Sequence, residues 1–247
     1  MEKLKDTLFV IGSGSSLNKI DMSKLANQDT ISMNRQYIAY DEWGFKPTYY
    51  VIIDRQLVLT IHKDVEKLIK EEKDIKKFFI MSDNIVTTTN WIEKMRSEEK
   101  GRVFKLHGKV TGPYRRHLHR TVTNLDNRGM SFDSNAGACA VEIGLCLGYK
   151  RVVLLGIDAK YVDRKESVKA NKDLSHFHPN YFDVKDFKEG VNQGPHNENS
   201  GVLLWKLFSE QQKKIGGFEI ISSTPSSPIN QYLTYVEFDT WFNESNN

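Results

Sequence analysis

The run Thr7-Leu8-Phe9-Val10-Ile11-Gly12-Ser13-Gly14-Ser15-Ser16-Leu17 decides how the chain is read. Five β-prone, mostly apolar residues lead straight into two glycines and three serines. Such a run reads as a buried strand ending at a phosphate- or nucleotide-sized gap, because a residue without a Cβ lets the backbone come close to a ligand. The hydroxyls of Ser13, Ser15 and Ser16 and the converging turn amides suit an anion there. An ordinary strand-to-helix turn has the same composition, so the neighbouring strands must decide.

They repeat the pattern. Thr30-Ile31-Ser32-Met33 reads as a second strand ending at Asn34-Arg35. A helix over about 36–43 stops at Gly44, and Tyr49-Tyr50-Val51-Ile52-Ile53 then runs to Asp54-Arg55. Further strands are expected at 77–81 and 103–106, with an amphipathic helix over 58–69 and helical spacing over 91–100. Ser134-Asn135-Ala136-Gly137 opens a helix of small and aliphatic residues over 138–147. Gly148 stops it, and Val152-Val153-Leu154-Leu155 follows as a central strand ending at Gly156-Ile157-Asp158. A helix over 201–214 and a strand over 219–222 complete the series. In an open α/β sheet the carboxyl ends of parallel strands form the ligand crevice, which is where these polar strand ends would gather. The expected fold is therefore α/β and Rossmann-like. It has a mostly parallel sheet with helices on both faces, in one nucleotide-binding domain over 1–247.

Bulk properties narrow the function classes. The longest apolar runs are far too short to span a bilayer, and Met1-Glu2-Lys3-Leu4-Lys5-Asp6 lacks the apolar segment of a secretory signal. Cys139 and Cys146 lie seven apart in an expected helix, too far for a disulfide within it, and read as free thiols of a cytoplasmic protein. A net charge of +3 does not argue for nucleic acid.

Two polar stretches stand outside the periodic elements. In 107–133, His107, His117 and His119 sit among Arg115, Arg116, Arg120 and Arg128, a cationic loop that can approach phosphates or simply be solvated. No cysteine pair accompanies these histidines at zinc-ligand spacing. Residues 159–199 are polar, lack clear periodicity and carry Tyr161, Phe177, Tyr181, Phe182 and Phe187, as expected of a lid or small subdomain. That stretch also holds His176, His178 and His196.

Taken together, these motifs resemble bacterial sialyltransferases of the Campylobacter type. Their Gly-Asn-Gly-Pro-Ser-Leu turn is similar to Gly12-Ser13-Gly14-Ser15-Ser16-Leu17, followed likewise by Ile20-Asp21. Their strand-end asparagine is matched by Asn34, and their Leu-Gly-Tyr-Lys, strand, Gly-Ile-Asp series by Leu147 to Lys150 and Gly156 to Asp158. Their catalytic histidine, just before a long helix, falls on His196. The chain also resembles the MptE-like (hydroxymethylpterin diphosphokinase-like) family found among surface-polysaccharide genes. The resemblance runs through Gly44-Phe45-Lys46-Pro47-Thr48-Tyr49-Tyr50-Val51 to Asp54-Arg55, and through His176 to Phe182. Three positions depart from the sialyltransferase pattern. Thr-Ser-Gly is Asn135-Ala136-Gly137 here, the third strand-end asparagine is Asp54, and of two phosphate-holding tyrosines only Tyr161 has a counterpart, displaced by one position.

The sialyltransferase resemblance implies a metal-independent glycosyltransferase with a nucleotide-sugar donor, best a CMP-linked acidic sugar, and a glycan acceptor, acting in surface polysaccharide synthesis. In that reading His196 is the general base and Tyr161 holds the departing phosphate. Gly12, Ser13, Gly14, Ser15, Ser16, Asn34, Arg35, Asp54, Asn135, Ala136, Gly137 and Asp158 line the nucleotide site. No cofactor and no bound metal are expected. The alternative is an MptE-like, ATP-dependent diphosphokinase, in which Asp54 and Asp158 would position Mg²⁺. A non-catalytic nucleotide-sugar binding module is the third reading. An NAD dehydrogenase fits less well, because Leu17 stands at the third fingerprint glycine and no acidic residue ends the second strand. Peripheral membrane association and homo-oligomerisation stay open.

Overall fold

The first strand, β1 (Thr7–Ile11), is buried along its whole length, as expected of a strand covered on both faces. In the computed structural model it lies in the middle of an eight-stranded sheet. The residues described are 4–81, 90–106, 135–160, 162, 164–182 and 198–245. The other strands are β2 (Thr30–Met33), β3 (Tyr49–Ile52), β4 (Lys77–Met81), β5 (Val103–Leu106), β6 (Arg151–Leu155), β7 (Glu219–Ser222) and β8 (Thr234–Tyr235). Their order is β5-β4-β3-β2-β1-β6-β7-β8, and every pairing is parallel.

That order places the site. The chain winds outward from β1 to β5, then returns to the other side of β1 with β6 and winds the opposite way. The two directions diverge between β1 and β6, the topological switch point where open sheets of this kind leave a crevice at the carboxyl edge. The register there is continuous over five residue pairs, from Thr7 opposite Arg151 to Ile11 opposite Leu155.

Side-chain alternation splits the core in two. Phe9 and Ile11 face one layer, built from α1 (Tyr40–Trp43), α2 (Arg55–Glu71), α3 (Asn90–Glu93) and the C-terminal helix, numbered α8 below. Leu8 and Val10 face the other layer, with α5 (Ala136–Cys146) and α7 (Glu198–Ile215). The short helices α4 (Ser97–Lys100) and α6 (Arg164–Ala170) and the terminal α8 (Phe238–Ser245) complete the set. The rings of Phe238, Trp241 and Phe242 all meet Phe9, so α8 seals β1 from below. The small residues of α5 serve packing: a Cβ on Gly144 would stand 2.5 Å from Leu8 Cδ2. Helix and sheet can therefore approach closely only because that side chain is missing.

The expected helix over 36–43 differs in detail. Residues Asn34–Ala39 form a 3-10 helix and only Tyr40–Trp43 is α-helical, closed by Gly44 in the left-handed region. The Gln36 side chain explains the tight turn, because it accepts from Met33 N and donates to the Ile11 and Gly12 carbonyls. The helical segment over 91–100 divides into α3 and α4, and α6 folds within the polar stretch. Cys139 and Cys146 are both free, and burial pushes the Cys139 thiol up. Among the described residues no helix is long and apolar enough to cross a membrane.

Candidate functional site

The glycine turn after β1 is pressed against the end of β6. Gly12 N donates to Leu155 O at 2.6 Å, and Gly14 N donates to Gly156 O at 2.8 Å. A Cβ on Gly12 would stand 2.5 Å from Ile157 Cδ1 and 2.7 Å from the Gly156 carbonyl carbon. A Cβ on Gly14 would stand 2.5 Å from Asp158 Oδ1. The glycines are thus required already by the chain's own strand-to-strand approach. Neither has a positive φ, so space and not backbone freedom selects them.

Asp158 takes the turn's donors for itself. Its carboxylate accepts from Ser16 N at 3.1 Å, from Ser15 Oγ at 3.3 Å and from Ser16 Oγ. The anion expected at these hydroxyls is therefore supplied by the protein. Beside it opens a cleft of about 290 Å³, lined among others by Ser15, Ser16, Lys19, Asp158, Lys160 and Ser175.

On the other side of the turn, Tyr181 meets Ser13. The phenol hydroxyl is 2.8 Å from Ser13 Oγ. Burial pushes this phenol up to about 12, with its hydrogen bonds, first that to Ser13, pulling the other way. Asn34 sits in the left-handed region at φ 55, held by Tyr50 Oη donating to its carbonyl at 2.6 Å. Its Oδ1 is buried and makes no hydrogen bond among the described residues. Backbone strain and an unsatisfied polar atom on one residue at a strand end mark a candidate ligand contact. Arg35 donates to Tyr181 O at 3.3 Å and lies 5.3 Å over the Phe182 ring.

The remaining predicted residues lie around this centre. Asn135 caps α5, its Oδ1 accepting from Gly137 N at 3.0 Å and Ala138 N at 3.2 Å. Gly137, like Gly12, packs on Ile157, whose side chain would lie 2.8 Å from a Cβ there. Ile157 thus ties the β1 turn, the β6 end and the start of α5 into one unit, with Ala136 beside it. Asp54 does not join this group: it is exposed and caps α2, accepting from Leu57 N at 2.9 Å. Strands β3 and β6 are three places apart in the sheet, roughly 14 Å. Asp54 and Asp158 therefore do not fit a shared Mg²⁺. Among the described residues no group of three His, Cys, Asp or Glu side chains is placed to hold a metal ion. His196, Tyr161 and the cationic stretch 107–133 lie outside the described residues.

Gln36 and Asp173 escaped the sequence reading, and His176 was named there without its partner. Gln36, fully buried, fixes the carbonyls of the turn. The other two, Asp173 and His176, form a hydrogen-bonded pair in the segment that crosses the turn. His176 bridges Gly14 in antiparallel fashion, and Phe177 N donates to Ser13 O at 3.0 Å. The one available signal was the Asp-x-x-His spacing just ahead of a Phe-His-Pro run.

These features define an open, parallel α/β sheet protein with a cleft beside the β1 turn. No protein-family model matches the chain, and no curated protein matches it in sequence. Solved structures do resemble it. The monofunctional α-2,3-sialyltransferase Cst-I from Campylobacter jejuni matches with a TM-score of 0.52 and 17% identity, over 92% of this chain and 79% of its own. The sialyltransferase CstII from the same organism, in complex with the substrate analogue CMP-3FNeuAc, matches at 0.50 and 14%, over 93% and 85%. The MAf glycosyltransferase from Magnetospirillum magneticum matches at 0.56 and 10%, over 96% of this chain but 34% of that longer one. The resemblance to Campylobacter-type sialyltransferases is thus seen in the fold.

Proposed function

We propose that the protein is a glycosyltransferase that uses a nucleotide-activated sugar, with a CMP-linked acidic sugar as donor and a glycan hydroxyl as acceptor. The observation that carries this reading is the strained Asn34 at the carboxyl end of β2, next to the central strand, with a buried Oδ1 that has no partner among the described residues. The likeness in fold to CMP-sugar-binding sialyltransferases supports the same reading. Ser13, Asn34 and Asn135 would contact base, ribose and phosphate, with Gly12, Gly14 and Gly137 shaping the floor. Ser15, Ser16 and Asp158 would act as a unit that fixes the turn, and Arg35 would hold the segment that crosses it.

Chemically, the acceptor oxygen attacks the anomeric carbon while the bond from that carbon to the phosphate oxygen breaks, and the nucleotide leaves with the electron pair. A base must take the acceptor proton, and His196 is the residue proposed from the family pattern. Tyr161 would donate a hydrogen bond to the leaving phosphate, so that no metal is needed. The role proposed is surface polysaccharide synthesis on the cytoplasmic side of the membrane.

The test is release of free nucleotide from CMP-, UDP- and GDP-sugars, with and without saccharide acceptors. CMP release that depends on acceptor supports the proposal. A chain that instead consumes ATP only with Mg²⁺ would turn it toward the diphosphokinase.

A further inference from the structure

The geometry points to His176, oriented by Asp173, in place of His196 as the proton acceptor for the transfer reaction; this rests on the glycosyltransferase reading. Asp173 Oδ2 lies 2.7 Å from His176 Nδ1, and the Asp173 side chain is fully shielded from solvent. Its other oxygen accepts from Ser175 N at 2.9 Å and His176 N at 3.3 Å, which locks the carboxylate in place. A carboxylate can only accept, so Nδ1 is the donor of this pair and Nε2 is the ring nitrogen that the pair leaves open. Nε2 makes no bond among the described residues, while the imidazole retains 16% exposure.

The ring is also fixed in direction. It stacks on Tyr181 with centroids 4.2 Å apart and planes 11° from parallel, and Phe182 meets its edge at 5.1 Å. Tyr181 is the residue whose hydroxyl bonds Ser13, and His176 itself bridges Gly14. An Asp-oriented imidazole with one open nitrogen is therefore held one aromatic ring away from the Ser13 hydroxyl. That is the arrangement by which a base is kept in one tautomer and its cation is stabilised once formed.

In the step proposed, the acceptor O–H proton passes to Nε2 as the acceptor oxygen bonds the anomeric carbon. The bond from that carbon to the phosphate oxygen breaks, and its electrons leave on the nucleotide. The imidazolium is countered by Asp173, a positioning residue that touches no reactant. The other groups facing the ring are the Tyr181 phenol across the stack and Arg35 behind Phe182, with Asp158 packed on Gly14.

Full-length H176Q, D173N and H196A are compared with the parent in kcat and kcat/KM against pH, in donor dissociation constant and in thermal midpoint. H176Q should lose ~10²–10⁴ in kcat. Its donor affinity should stay within about threefold of the parent, and the acid limb of its rate profile should vanish. D173N should lose less and keep that limb displaced to lower pH, since removing the negative neighbour disfavours the imidazolium. A clip that merely staples the loop would lower the midpoint without moving the limb. Parent-like turnover in H176Q, or an acid limb that survives in H176Q and disappears in H196A, overturns the assignment alone. A parent that transfers no sugar from any nucleotide donor overturns the glycosyltransferase reading, and this inference with it.

Discussion

Replacing Gly12 with alanine tests the contact on which the crevice is built. The added Cβ would stand 2.7 Å from the Gly156 carbonyl carbon and 2.5 Å from Ile157 Cδ1. Ordinary carbon contacts lie at about 3.5–4.0 Å, so the ends of β1 and β6 must part by about 1 Å. The Ile157 side chain can turn aside, but the Gly156 backbone cannot. Overpacking of this kind costs ~1–3 kcal/mol. The 2.6 Å bond from Gly12 N to Leu155 O lies in the same gap, and losing it adds about 1 kcal/mol. Glycine 44 supplies the control, because an alanine there meets no atom within 4 Å and suffers only from its φ of 73. In urea unfolding, G12A should therefore lose ~2–4 kcal/mol, equivalent to roughly 4–16 °C in midpoint for a chain of this size. G44A should lose ~1–2 kcal/mol. A G12A protein within about 0.5 kcal/mol of the parent would show that the turn is not packed on β6 as described.

Further outcomes follow from the ionisable groups. The Tyr181 phenol is raised by burial from 10.0 to about 12, so its contribution to stability is complete below pH 10 and is lost as pH rises toward 12. Y181F should be less stable than the parent at pH 8, since Ser13 loses its partner, and should lose about 2 kcal/mol less between pH 9 and 12. Glu99 is held below its ordinary value first by its bond to Arg96, and it also accepts from Arg96 N at 3.1 Å. Its contribution is present above the ordinary carboxylate range and disappears as pH falls through the lowered value. E99Q should be destabilised at pH 7 and should match the parent in acid, read by thermal unfolding at both pH values.

Most of the sheet was legible because seven of its strands are short apolar runs ended by polar residues. The strand β8 was not legible: Thr234 and Tyr235 are both exposed and are held only by backbone pairing with β7. The α6 helix was hidden by a polar stretch, and α8 by its position after the last recognisable strand. At the site, the strand ends were located correctly, but their partners were not. A Gly-Ser-Gly-Ser turn announces a close approach without saying of what, and here the approaching group is Gly156-Ile157-Asp158. Asp54 reads as a strand-end ligand, yet the same placement serves a helix cap. Gln36 carries no motif at all, since its role comes from reaching back to carbonyls some 25 residues earlier. Asp173 and His176 sit in a loop without periodicity, so only their hydrogen bond reveals them as a pair.

The most direct test of the central claim is nucleotide binding by the parent and by N34A, followed by thermal unfolding against CMP, UDP, GDP, ATP and their sugars. A ligand at ~100 times its dissociation constant adds about 2.7 kcal/mol, a rise of roughly 5–11 °C in midpoint. The account predicts such a rise for CMP or a CMP-sugar with the parent, and a much smaller one with folded N34A. No rise with any nucleotide, or an equal rise in N34A, would contradict it.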